Sequence, residues 1–312
     1  MPMRPVSLAL LLALATPLAA QSPWPTVKRD QKLEAQLQAL ADKVEGDVGI
    51  YVRHLKSGKG AIIRADELFP TASMIKVPIL ATLFDRINQG TLRFDTTLVW
   101  ADSLRYLGED DLFDKLQPGA KVPLSQVSLM MITTSDNAAA LWLQALVGGG
   151  TVINSWLAAN GFDSTRVNSR TPGRAANRTA MGWGQTTPRE MAELLVRIRA
   201  GKAVSPAASA EMYRHLTRIY FTGEALSALP PWVQAASKQG SVDRSRSEVV
   251  LVNAPSGDYV FAVITRNQKD TSYLPANQGY LLIRRISSLL WQHFEPRHPW
   301  TPAPGVEEFK PK

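Results

Sequence analysis

The sequence predicts an α/β (α+β) fold: an antiparallel sheet flanked by N- and C-terminal helices, with an all-helical subdomain inserted between its strands. Alternating, β-branched stretches lie only toward the two ends of the chain, the middle consists of long runs at helical spacing, and an amphipathic helix lies outside each strand group. The 312 residues, 45% hydrophobic and 20% charged, are ample for a buried core and unlike a disordered chain.

Taken in order, Met1–Pro5 carries one arginine, Val6–Leu18 is a short apolar run, and Ala19-Ala20 precede the polar Gln21-Ser22. That order is expected of a signal peptide cleaved near Ala20, and so of a periplasmic or secreted protein. The run falls short of the roughly 20 residues a membrane span needs. Asp30–Val44 places Leu33, Leu37, Leu40, Ala41 and Val44 on one helical face. GDVGIYVRHL, a Lys-Ser-Gly-Lys-Gly turn and AIIRA then read as a hairpin. From Thr71 to about His215 the helical runs are Met74–Asn88, Leu124–Val147, Thr151–Asn160 and Pro188–Ala200, with Pro78 expected to kink the first. Gly148-Gly149-Gly150 reads as a helix C-cap and turn. Strands return in VQAASKQGS, EVVLVNAP and YVFAVITRN, and Tyr280–Phe294 closes as a helix. The expected organisation is a signal peptide (1–20), a discontinuous α/β subdomain (33–70 plus 216–294), a helical subdomain (71–215) and a Pro-rich tail (295–312), either a surface strap or disordered.

Composition excludes whole classes of chemistry. With no cysteine there is no disulfide, thiol nucleophile or cysteine-ligated zinc, and His54, His215, His293 and His298 form no metal-binding pair. No cofactor and no metal are expected. The net charge of +8 is dispersed, denser only at Arg166–Arg178 and Arg244-Ser245-Arg246, and reads as a solvated surface that attracts anions rather than nucleic acid.

Three short motifs carry candidate chemistry. Ser73 and Lys76 lie three residues apart at a helix start, where a desolvated amine can take the serine proton and backbone N–H groups can hold an oxyanion. Alone, the pair reads more readily as a capping serine with a surface lysine. Ser135-Asp136-Asn137 interrupts an apolar helical run, either as a loop and N-cap or as a proton shuttle with a substrate-gripping amide. Lys238-Gln239-Gly240-Ser241 ends a strand, either as a turn with a solvated lysine or as an edge onto which an extended substrate docks.

Together, and in this order, these motifs resemble the active-site serine penicillin-recognising proteins, for which S-x-x-K, S-D-N and K-T-G are the signature. SMIKVPIL, GEDDLFDKLQPGAKVPLSQVSLMMITTSDNAAALWL, NGFDSTRVN and TTPREMAELL look like class A β-lactamase segments, and the resemblance runs over about Leu33–Phe294. It implies a β-lactamase/transpeptidase-like fold. It also implies that Ser73 is acylated, Lys76 takes or relays its proton, Ser135 protonates the leaving nitrogen, and Asn137 holds the substrate amide. Lys238 would attract the substrate carboxylate, and the oxyanion hole would use the backbone N–H groups of Ser73 and Ser241, with Gly240 completing the motif.

Two departures stand out. Gln239 replaces a hydroxyl residue that contacts the carboxylate, a loss for which Ser241 or Arg246 is a candidate substitute. Thr171 and Ala175 stand where the family has the Glu and Asn that position the deacylating water. The expected function is a secreted serine hydrolase that forms an acyl-enzyme at Ser73 with β-lactams and hydrolyses them, with deacylation slowed because Thr171 replaces the loop Glu. The alternatives are a penicillin-binding peptidase or esterase acting on cell-wall peptides or small esters, and a non-catalytic envelope-binding protein. The expected partners are a small acyl donor and peptidoglycan fragments, for a monomer.

Overall fold

A computed structural model describes Met1, residues 24–106 and residues 111–306. Except for Met1, the segment expected to be a signal peptide lies outside the described residues, as does the tail beyond residue 306.

The chain begins with β1 (Lys28–Arg29) and α1 (Gln31–Ala41), then the hairpin β2 (Asp47–His54) and β3 (Lys59–Ile63), and a short β4 (Phe69–Pro70). A 3₁₀ turn, Ala72–Ile75, leads directly into α2 (Lys76–Asn88). β5 (Thr97–Val99) pairs with β6 (Lys121–Pro123). Then come α3 (Leu124–Thr133), α4 (Asn137–Leu146), α5 (Gly149–Ala159), β7 (Arg166–Val167), α6 (Ala175–Met181), β8 (Gly184–Thr186), α7 (Pro188–Arg199) and α8 (Pro206–Leu216). β9 (Ala235–Val242), β10 (Ser245–Val252), β11 (Tyr259–Arg266) and α9 (Gln278–Phe294) finish the fold.

The main sheet has the order β1-β3-β2-β11-β10-β9 and is antiparallel except for β1 on β3. Both of its faces are covered, so β11 and the second half of β10 are apolar on both sides. By contrast, β9 (AASKQGSV) and the first half of β10 (SRSE) are largely buried yet polar. Tyr259, Phe261 and Val263 pack with Leu33, Leu37, Ile283 and Ile286 of the terminal helices. Val260, Ala262 and Ile264 face the opposite way, into the core shared with α7 and the helical block. This two-residue alternation buries β9, β10 and β11 between layers and leaves β9 as the edge beside the Ala72–Ile75 turn.

Three expectations need correction and a fourth needs extension. The Leu124–Val147 run is two helices, broken at Ser135, whose φ of 60° no helix accommodates. Asp136 caps the second by accepting from Ala139 N at 2.7 Å, a contact worth about 1 kcal/mol. Pro78 does not kink α2, because it is the third residue, within the turn whose N–H groups lack intrahelical acceptors. The triple glycine ends one helix as expected but also begins the next: Gly148, at φ 105°, follows Val147, the C-cap of α4, and donates its N–H to Ala145 O at 3.1 Å, while α5 starts at Gly149. Val44 lies past the end of α1 but remains buried. The described part of the tail is a strap. Glu295 is fully buried on Ser256 N (2.8 Å) and Oγ (2.9 Å), and Trp300 stands edge-on to Trp232.

Candidate active site

The turn carrying Ser73 is held at an unusual conformation. Ala72, just before it, has φ 43°, a left-handed value that costs a non-glycine residue free energy and persists only when its surroundings enforce it. Enforcement comes from two sides. Thr71 N donates to Gly184 O at 2.9 Å, and Thr71 O accepts from Met74 N at 3.0 Å. Gly240 on β9 is the second constraint. A Cβ there would lie 2.7 Å from Thr71 O and 2.9 Å from Ala72 Cβ, so only glycine lets the strand approach.

Lys76, one turn after Ser73, is fully buried. Its Nζ donates to Ser73 Oγ at 3.1 Å, Ser135 Oγ at 3.1 Å, Asn137 Oδ1 at 2.8 Å and the Ser135 carbonyl. Burial pulls its pKa from the ordinary amine value down to about 7, against the opposing pull of Asp111 and Asp136. Near neutral pH, such a lysine is available in part as free base. On the other wall Lys238, also fully buried, donates to Ser135 Oγ at 3.1 Å, Gln239 O at 3.1 Å and Gln239 Oε1 at 3.0 Å. Its affinity for a proton is held well below the ordinary amine range, first by burial and then by Lys76. Ser135 Oγ thus lies between two depressed amines, a geometry suited to passing a proton.

Ser73, Lys76, Ser135, Asn137, Lys238 and Gly240 therefore meet at one place. Ser241 follows on β9, its Oγ 2.9 Å from Tyr280 Oη. Gln239 is not presented to a ligand, because its side-chain oxygen is taken by Lys238. Arg246, considered as a substitute for the missing hydroxyl, is excluded by its position. It is fully buried, bonded to the carbonyls of Val242, Ser245 (2.9 Å) and Ser272 (2.5 Å), and stacked between Tyr273 and Tyr280.

The loop after Arg166 forms a different wall. It is anchored by the Glu190 carboxylate, which accepts from Ser164 N, Thr165 N and Thr165 Oγ1, and by a Gln144–Ser169 pair. Thr171 Oγ1 donates to Ser169 O at 2.9 Å, and the side chain rests on Gly150, where any Cβ would collide with it. Ala175 opens α6 and is exposed. From Ser164 to Arg189 the sequence holds no acidic residue. An open cavity of about 760 Å³ lies here, lined by Asn168, Thr171 and the exposed Arg170 and Arg178.

One participant escaped the motifs. Asp111 is buried, and its Oδ1 accepts from Asn137 N at 2.7 Å. It is the last of the run Glu109-Asp110-Asp111, which resembles any solvated acidic loop, so no periodicity or spacing could single it out.

A model of the beta-lactamase enzyme family matches residues 32–294. Among solved structures, PBP-A is 26% identical over 87% of this chain and 99% of its own, with a TM-score of 0.77. A PBP-A variant solved as its acyl-enzyme complex with penicillin-G is 25% identical, over 88% of this chain and 100% of that one, with a TM-score of 0.77. A beta-lactamase from Sphaerobacter thermophilus DSM 20745 shares the fold at 23% identity and a TM-score of 0.76, over 86% of this chain and 100% of that one.

Proposed function

The chain belongs to the beta-lactamase enzyme family, and on that premise we propose that this serine hydrolase works through an acyl-enzyme at Ser73 that is made quickly and released slowly. The observation that carries the reading is the Lys76 amine, buried 3.1 Å from Ser73 Oγ with its pKa near 7. As free base, Lys76 takes the Ser73 proton while Oγ bonds to the acyl carbon. The backbone N–H groups of Ser73 and Ser241 hold the oxyanion. The carbon–nitrogen bond of the lactam then breaks, and its nitrogen takes a proton from Ser135 Oγ, which is resupplied from Lys76. Lys238 attracts the substrate carboxylate. Asn137, its oxygen engaged by Lys76, has its amide nitrogen left for the substrate's acylamino carbonyl.

Release requires a water to lose its proton, and a threonine hydroxyl cannot accept one near neutral pH. A positioned base contributes about 10²–10⁴-fold to such a step. We expect a β-lactam to accumulate on Ser73. The same lack of a loop carboxylate favours a second reading, a penicillin-binding peptidase or esterase whose substrates are cell-wall peptides or small esters. The likeness to PBP-A and the basic rim of Arg170 and Arg178 support it. In either reading the protein is exported and monomeric, acting on envelope-derived or antibiotic acyl donors.

Intact-mass spectrometry after mixing with a penicillin, followed over time, tests the proposal. Mass added at one equivalent and lost slowly is the expected course. Ser73→Ala should abolish the added mass, and label that survives it undiminished would refute the assignment of the nucleophile.

A further inference from the structure

The loop carboxylate is missing, but a carboxylate is present on the opposite wall. Asp111 is only 4% exposed. One oxygen accepts the Asn137 N–H, and the Asn137 side chain accepts Lys76 Nζ at 2.8 Å, so two short links join Asp111 to the amine. Its other oxygen, Oδ2, is buried without a hydrogen-bond partner among the described residues. A buried carboxylate oxygen left unpaired is costly unless a nearby positive charge compensates it. The neighbouring Asp136 is built differently. Both of its oxygens are taken, one by Ala139 N and one by Phe113 N, which makes it the cap of α4.

We propose that Asp111 is a positioning residue of the catalytic site: through Asn137 it holds the amide that contacts Lys76, and its unpaired oxygen provides the negative charge that keeps a proton available to the Lys76 amine. This rests on the reading of Lys76 as the base for Ser73. In that role Asp111 stands in, from the connection between β5 and β6, for the electrostatic part of the carboxylate lost at Thr171. It does not replace that residue as the base toward water, so slow release still follows. The charged groups facing Lys76 are Asp111, Asp136 and, across Ser135, Lys238. Asp114 acts on Asp111, and Glu224 and Glu248 act on Lys238 from behind β9. Burial first, then Asp136 and Asp114, raise the Asp111 carboxyl above its ordinary value, while the Asn137 N–H and Lys76 pull it back.

The test is the titration of Lys76 in the unliganded full chain, read by NMR of ε-¹³C-labelled lysine, its signal identified by its loss in Lys76→Met. Asp111→Asn keeps an oxygen for Asn137 N and removes only the charge. The Lys76 midpoint should fall by about one pH unit, and Asp111→Glu should bring it back toward the native value. A merely structural role would not move this midpoint in a folded variant. A midpoint unmoved or raised in Asp111→Asn overturns the inference. Should that variant not fold, Asp111→Ser, which also keeps an oxygen for Asn137 N and removes the charge, is titrated in its place, and a midpoint unmoved or raised there overturns the inference equally. Penicillin acylation is measured alongside. A lowered midpoint in a protein that no β-lactam acylates refutes the acyl-enzyme reading alone, and an unmoved midpoint in a protein acylated normally refutes the inference alone.

Discussion

The wall formed by the Ser73 turn, α4 and β9 and the wall formed by the loop from Arg166 to Thr187 meet different demands. The first is crowded with titratable groups, two of them fully buried amines that share one serine hydroxyl. The second is ordered just as firmly, by Glu190 and the Gln144–Ser169 pair, yet its side chain at Thr171 is satisfied by its own loop. Rigidity without a proton acceptor holds a shape but moves no proton. In the proposed function, acylation and release therefore fall to separate walls, and only the first carries titratable amines.

The largest effect should come from removing Lys76. Lys76→Met should abolish measurable acylation while leaving the fold intact. In the native chain, acylation should rise with pH through about 7, as the amine becomes free base. Stability has the same sign over a higher window. Lys76 is lowered in the folded chain, so the unfolded chain binds more protons between pH 7 and 10.5, and native stability rises over that window. Methionine removes this slope, so its advantage in Tm should be greatest at or below pH 7 and shrink toward 10.5. A pH-independent difference in Tm would mean that Lys76 is not desolvated as described.

Next in size, Thr171→Glu tests the second wall directly. It should raise the steady-state turnover of a chromogenic cephalosporin by about 10²–10⁴-fold with little change in the initial burst. Gly150 is the complication, since the present side chain rests on it and a longer one must turn away. Fast turnover in the native chain, without a burst, would show that the first wall also activates water.

Much of this was legible in the sequence, for physical reasons that differ by region. Strands β10 and β11 are buried on both faces and still announce themselves by β-branched runs and turn residues, while β9, AASKQGSV, has no such run and is marked mainly by the turn after it. Ser73, Lys76, Ser135 and Lys238, which the fold brings together, were legible because the chemistry proposed for them needs fixed residue types at fixed spacing. What stayed hidden depended on tertiary burial. Arg246 reads as a surface charge, and nothing local foretells that two tyrosines and three carbonyls enclose it. Asp111 is indistinguishable from its acidic neighbours until the fold lays it on Asn137. The break at Ser135 was visible only as polarity, because a left-handed φ leaves no mark on a serine.

A smaller effect should follow from Gly240→Ala, which leaves every reacting group in place and alters only spacing. The added methyl would lie 2.7 Å from Thr71 O, so β9 and the Ser73 turn must separate by some tenths of an ångström. Misplacement on the scale of an ångström costs about 10²-fold, so acylation should slow by about 10-fold, with the burst still near one equivalent. Unchanged acylation would show that the Ser73 turn tolerates a looser strand than its strained Ala72 suggests.

The smallest and most selective effect concerns Lys238, and it asks whether the first wall separates binding from proton transfer. Its Nζ bonds Ser135 Oγ, so Lys238→Ala should slow acylation by every substrate to some extent. The attraction to a carboxylate adds a second loss, borne by benzylpenicillin and absent for a neutral thioester. We expect the penicillin to lose about 10-fold more than the thioester, the worth of one partly desolvated charge contact at about 1.4 kcal/mol. Because the amine is fully buried, salt should narrow that gap less than it would for a surface lysine. Gln239 strengthens the expectation, since its side-chain oxygen turns toward Lys238 and offers the carboxylate no hydroxyl in compensation. Equal losses for the two substrates would assign Lys238 wholly to the orientation of Ser135, and the carboxylate would then have to be met elsewhere along β9, with Ser241 the nearest remaining donor.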